Sequence, residues 1–140
     1  RPCIMASLLK VDALTGVTTA GSISVTGEGN STTTNLQQGL AKAFAQIKGT
    51  DTFGINESFN ISSAADEGTG HHNMTMSSAM TNATAYIPTG TCGHASGNPD
   101  SNIMALFAET TTVVEIETSD PADNNSDTNT NNIVVFGDLA

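Results

Sequence analysis

No lysine or arginine follows Lys48 in this chain of 140 residues, whose only cations are Arg1, Lys10, Lys42 and Lys48 against fourteen carboxylates. Contact with nucleic acid phosphates or an anionic membrane needs clustered basic side chains, so residues 49–140 are excluded from that work. Cysteine is nearly missing as well: Cys3 and Cys92 cannot build a disulfide framework. Long apolar runs are absent. Ile4–Leu9 is too short for the core of a signal peptide and is followed by Lys10 and Asp12, and no stretch approaches the length that spans a bilayer. The expectation is a soluble chain, not exported by a signal of its own. Triad spacing, a nucleophile elbow, a phosphate-binding glycine loop and a paired-carboxylate signature are also lacking, so neither catalysis nor a cofactor is expected.

What is present divides unevenly. Residues 1–48 hold all four cations against Asp12 and Glu28, a formal +2, while residues 49–140 hold the other twelve carboxylates. A docking or oligomerising front segment attached to an acidic, solvent-facing domain follows from that split. With 37% apolar and 13% charged residues, the surface must be built from Thr, Ser, Asn and Gly, a palette of strands and turns. The expected fold is mainly β: an extended N-terminal segment over 1–33, one short α-helix over 34–48, and an antiparallel β-sandwich over 49–140.

The segment pattern supports each piece. Leu9/Val11 and Ile23/Val25 alternate briefly between Thr15-Gly16 and the turn-like Gly27–Asn30, too little to make a core. Thr34 and Gln37 have capping-box spacing, Leu36, Leu40, Phe44 and Ile47 fall on one helical face opposite Gln38, Lys42 and Gln46, and Gly49 supplies a stop. That stripe has two readings: packing on the chain's own sheet, or a three-helix junction between subunits. Beyond Gly49 the period becomes two. Phe53, Ile55, Phe59 and Ile61 share one parity, with Glu57 breaking the row as a bulge or edge residue would; His72, Met74 and Met76 follow the turn at Gly68–Gly70. Further strands are expected at Ala85–Ile87, stopped by Pro88, at Ile103–Phe107, at Val113–Ile116, and at Ile133–Phe136 as a central buried strand. Residues 120–132 are almost wholly Asp, Asn, Ser and Thr and read as a long surface loop too polar to pack.

Three constellations have bland readings. Asp123, Asn125 and Asp127 begin a calcium-loop pattern, but Thr128 replaces its glycine and Val134 its closing Glu, which favours a solvated loop. Adjacent His71 and His72 point to opposite faces of a strand, and neither they nor His94 have ligand-like spacing, so His71 is expected exposed, His72 half-buried and no metal bound. The six Asn-x-Ser/Thr sequons, at Asn30, Asn56, Asn60, Asn73, Asn82 and Asn124, are what this composition generates by chance.

From Met5, MASLLKVDALTG resembles the opening common among tail-fibre and other virion structural proteins of marine tailed bacteriophages. LQQGLAKAFAQIKGTDTFGINESFNISSAADEGTG resembles the helix-to-strand passage of those proteins, and NIVVFGDLA their closing strand. The chain departs from the pattern at His71-His72, where a small polar residue and an aromatic are usual, and at Arg1–Ile4, which precede the usual initiating Met. The resemblance implies a non-enzymatic component of the virion, a short trimeric fibre or surface spike anchored by its N-terminus and projecting a β domain toward a host surface receptor. Leu8, Leu9, Val11 and Leu14 are then the residues that dock on capsid or tail proteins, and Leu36, Leu40, Phe44 and Ile47 the interface of a homotrimer. Loops 93–102 and 120–132 are the expected host contacts. The alternative is a capsid decoration or cement protein, or a tail connector, without receptor binding. A lectin-like or calcium-dependent carbohydrate-binding module is a third reading and requires loop 120–132 to hold metal.

Overall fold

The computed structural model describes residues 9–16, 23–26, 33–93 and 102–140; Cys3, Leu8, Gly27–Asn30, His94 and most of loop 93–102 lie outside them. The chain divides into two compact units, Arg1–Leu36 and Gln37–Ala140. In the first, β1 (Ser24–Thr26) pairs antiparallel with β2 (Thr33–Asn35), and Leu36 N donates to Ile23 O at 2.9 Å. A single helical turn, α1 (Leu36–Gly39), follows.

The second unit is mainly β, with antiparallel pairing throughout. Its strands are β3 (Ala41–Lys48), β4 (Gly54–Phe59), β5 (Ile61–Gly68), β6 (His71–Met76), β7 (Tyr86–Gly93), β8 (Ile103–Ala108), β9 (Val113–Ser119) and β10 (Thr130–Gly137). They form two four-stranded sheets, in the orders β4-β3-β10-β7 and β5-β6-β9-β8. Buried side chains of both sheets belong to one apolar cluster: Ala43, Ala45 and Ile47 with Ile133 and Val135 from the first, Met74 and Met76 with Val114 and Ile116 from the second. Burying each large side chain contributes about 1.5–3 kcal/mol, so these alternations, not the polar loops, hold the sheets.

The expected helix over 34–48 does not form beyond its first turn, because residues 41–48 are β3. Ala43, Ala45 and Ile47 lie on one parity and are buried, while Phe44 on the other is exposed. Leu40 is exposed and Leu36 half-buried, so the four residues of the stripe do not share a face. The helix formers Ala, Lys and Gln are overruled by pairing with the β-branched run of β10, a neighbour some ninety positions later. Lys42, expected on an exposed helix face, is instead the extra residue of a bulge opposite Val135/Phe136; it is buried, with Nζ donating to Leu40 O at 2.9 Å.

Three further expectations change. The single-parity run Phe53–Ile61 is two strands, because Asn60 takes a left-handed φ of 57° and sends the chain from one sheet into the other. Pro88 does not stop its strand: β7 is an edge strand bonded only to β10, where a residue without an amide hydrogen is tolerated. Residues 120–132 are not a free loop. Thr130–Asn132 open β10, and Thr128 and Asn131 are fully buried, with Thr128 Oγ1 donating to Asn131 Oδ1 at 2.6 Å. The expected positions of β6, β8, β9 and a central β10 agree with the structure.

Candidate functional site

The proposed docking residues that are described stand in water. Leu9, Val11 and Leu14 are 78%, 56% and 58% exposed, on a stretch with neither helix nor strand. Isolated exposed apolar residues are ordinary, but here three large ones stand exposed within six residues.

Loop 120–129 is built on its own carboxylates. Asp120 accepts at Oδ1 from Ala122 N (2.8 Å) and Asn124 N (2.9 Å), and at both oxygens from the Asn124 amide. The Asn124 backbone amide, then its side chain and the Ala122 amide, hold the Asp120 carboxyl below its ordinary range. Asp127 Oδ1 accepts from Gly70 N at 2.7 Å, which fastens the loop to the turn between β5 and β6. A side chain at Gly70 is excluded: φ is +72°, and a Cβ would stand 2.4 Å from Thr118 O. Asn125 Nδ2 and His71 Nε2 are 2.7 Å apart. Of the three residues of the calcium-like run, Asp127 and Asn125 are thus engaged elsewhere, and Asp123 takes a left-handed turn conformation. Among the described residues no three His, Cys, Asp or Glu side chains gather where they could hold a metal.

His71 is half-buried and His72 fully buried, deeper than expected. The His72 ring stands 5.1 Å from that of Phe53, its Nδ1 is 3.6 Å from Asp66 Oδ1, and neither ring nitrogen has a hydrogen-bond partner among the described residues. A Cβ at Gly49 would approach Nε2 to 2.9 Å, so no larger residue fits above the ring. Cys92 is a half-buried free thiol, and burial pushes its pKa up, away from the thiolate that nucleophilic chemistry uses. Glu57 lies on the outer side of β4 opposite Gln46, beside the bulge that Asn56 creates.

The outer faces of the two sheets differ in kind, which the sequence reading missed. On β4-β3-β10-β7, cross-strand register lines up Phe59, Phe44, Val134 and Thr89 in one row and Ala41, Phe136 and Ile87 in the next. Phe44 and Phe59 stack with centroids 5.9 Å apart. Beside them runs an amide row: Asn56 Nδ2 donates to Gln46 Oε1 at 3.3 Å, and Gln46 Nε2 donates to Asn132 Oδ1 at 2.9 Å. A shallow depression of about 280 Å³ lies where the apolar and amide rows meet, lined by Phe44, Gln46, Glu57, Asn132 and Val134 among others. The outer face of β5-β6-β9-β8 is instead acidic, with exposed Glu115 and Glu117 on its inner strand β9 and Ala105 and Phe107 opposite them on β8. The signal for the apolar face was in the sequence, as the odd apolar residues Phe44, Val134 and Phe136 between inward positions, but it is legible only once register is known.

Comparison with family models, with curated proteins and with solved structures gives no match for this chain.

Proposed function

We propose that this chain is a non-enzymatic structural protein of a bacteriophage virion, anchored by its N-terminal unit and projecting its β unit for attachment to a host surface receptor. Leu9, Val11 and Leu14 provide the observation that carries it: in the segment whose sequence resembles a virion anchor, all three are left in water, as a docking peptide is before its partner covers it. The break between Arg1–Leu36 and Gln37–Ala140 supports a separate anchor and head. The two sheets of the head close on each other as a β-sandwich. Their shared apolar cluster supports this, as does Tyr86 of β7, whose hydroxyl lies 2.8 Å from both Thr110 O and Val113 O at the β8–β9 hairpin. Virion capsid or tail proteins are the docking partners, and the assembled form is a homotrimer, as the resemblance implies.

Cryo-electron microscopy of bacteriophage particles assembled in cells that express the chain tests this. The expected result is ordered density for residues 9–16 against another virion protein at a tail or fibre vertex, with the β units pointing outward. Density spread over the capsid lattice would convert the protein to a decoration protein and end the receptor role. A particle without the chain would overturn the virion assignment itself.

A further inference from the structure

We infer that the outer face of the β4-β3-β10-β7 sheet is the surface through which copies of this chain meet. The face exposes Phe44, Phe59, Phe136 and Ile87 in one contiguous patch, and Leu40 lies just before β3. Ile87 is 70% exposed and Phe59 55%, although both occupy regular strand positions where a solvent-facing residue is ordinarily polar. At aromatic side-chain sizes the patch amounts to roughly 500 Å², as large as the largest patches that monomeric proteins leave uncovered. The adjoining amide and threonine row brings the face toward the roughly 800 Å² per partner of a stable interface.

The chemistry of the face selects a second copy as the occupant. Charge is the first reason. The chain carries a formal −10, which opposes association of identical copies and opposes it least where they meet through a surface poor in carboxylates. Glu57 is the one carboxylate in the strands of this outer face, and Lys48 at its end is paired with Asp51 at 3.3 Å. Glu115 and Glu117 lie on the outer face of the other sheet, away from such a contact. Hydrogen bonding is the second reason. Gln46, Asn132, Asn56 and Thr91 of the amide row each carry a donor and an acceptor, with capacity beyond the bonds among the first three, so two copies of this row can satisfy one another, whereas a row of carboxylates only accepts. A basic partner, by contrast, is drawn to the acidic face on β9. The inference deepens the proposed function only in naming where copies join; the contact itself does not depend on the virion.

Light scattering of the full chain across micromolar concentrations, with three variants, tests it. The wild-type chain is expected to have the mass of two or three copies, and added salt to strengthen association by screening the like charges. Ile87→Glu and Phe59→Glu, at opposite edges of the face, should each weaken self-association at least about tenfold while the far-ultraviolet spectrum stays β-rich. Phe107→Glu, equally exposed on the acidic sheet, should leave the mass unchanged. A second measurement guards against misfolded variants: on dilution of the wild-type chain, amide chemical shifts should move in β3, β10 and β7. A monomer at every concentration overturns the inference, as does an oligomer that survives both substitutions or shift changes confined to β8 and β9. Failure to find the chain on a particle would sink the virion assignment and leave these results standing.

Discussion

Asp120 and His72 show how single side chains hold or burden this molecule. The Asp120 carboxylate accepts from two backbone amides and the Asn124 side chain, which depresses its pKa in the folded state. A depressed carboxylate stabilises the fold above its unfolded pKa and loses that contribution as pH falls through the native value. Protection of the Ala122 and Asn124 amides, taken against their intrinsic exchange rates, is therefore expected to hold from neutrality down to about pH 4 and to fall below it. Asp120→Ala should remove that protection already at pH 7, and unchanged protection in that variant would count against the cap. His72 is the opposite case, two buried ring nitrogens without hydrogen-bond partners among the described residues. His72→Leu removes both and keeps most of the volume, so urea unfolding should show stability unchanged or raised by up to about 1 kcal/mol. A loss above about 2 kcal/mol would mean that the ring nitrogens stabilise the fold through Asp66 or through solvent.

At the scale of elements, the connection between the sheets depends on Asn60. Its left-handed backbone turns β4 into β5, its amide donates to Lys42 O at 3.0 Å, and its Oδ1 and backbone oxygen accept from Ser78 N and Ser77 N. Asn60→Ala loses the side-chain bonds and strains the turn, an expected cost of about 2–3 kcal/mol in urea unfolding. Asn60→Gly restores the backbone freedom and should recover about 1 kcal/mol of it. Equal losses in the two variants would show that φ plays no part. The run Phe53–Ile61 hid this turn because its apolar parity continues across Asn60. Phe59 before it stands on the outer face of one sheet, whereas Ile61 after it packs against the core from the other. The helix expected there has a similar origin: Leu36, Leu40, Phe44 and Ile47 satisfy a helical period over 36–47, while Ala43, Ala45 and Ile47 satisfy a strand period within the overlapping residues 41–48. Local propensity favoured the first, and a partner strand decided for the second.

For the whole molecule, the division at Leu36/Gln37 predicts that residues 37–140 fold without the first unit, since the entire apolar cluster lies within them. A chain beginning at Gln37 should keep a β-rich circular dichroism spectrum and a cooperative melt within a few degrees of the full chain. Loss of cooperativity would mean that the first unit completes the core. The same chain lacks Leu9, Val11 and Leu14 and should no longer join a particle, while its self-association through the outer sheet face should persist.

The sequence by itself determined the charge division, the mainly β character, and the strands β6, β8, β9 and β10, because alternation of His72, Met74 and Met76 or a run such as Ile133–Phe136 is a local signal of burial. Only the tertiary structure decided that residues 41–48 form a strand, that Thr128 and Asn131 are interior in a stretch of polar residues, and that Phe44, Phe59, Phe136 and Ile87 share one exposed face. Each of these depends on pairing between positions tens of residues apart, and register between distant strands is set by the joint burial of both sheets, which no local window of sequence contains.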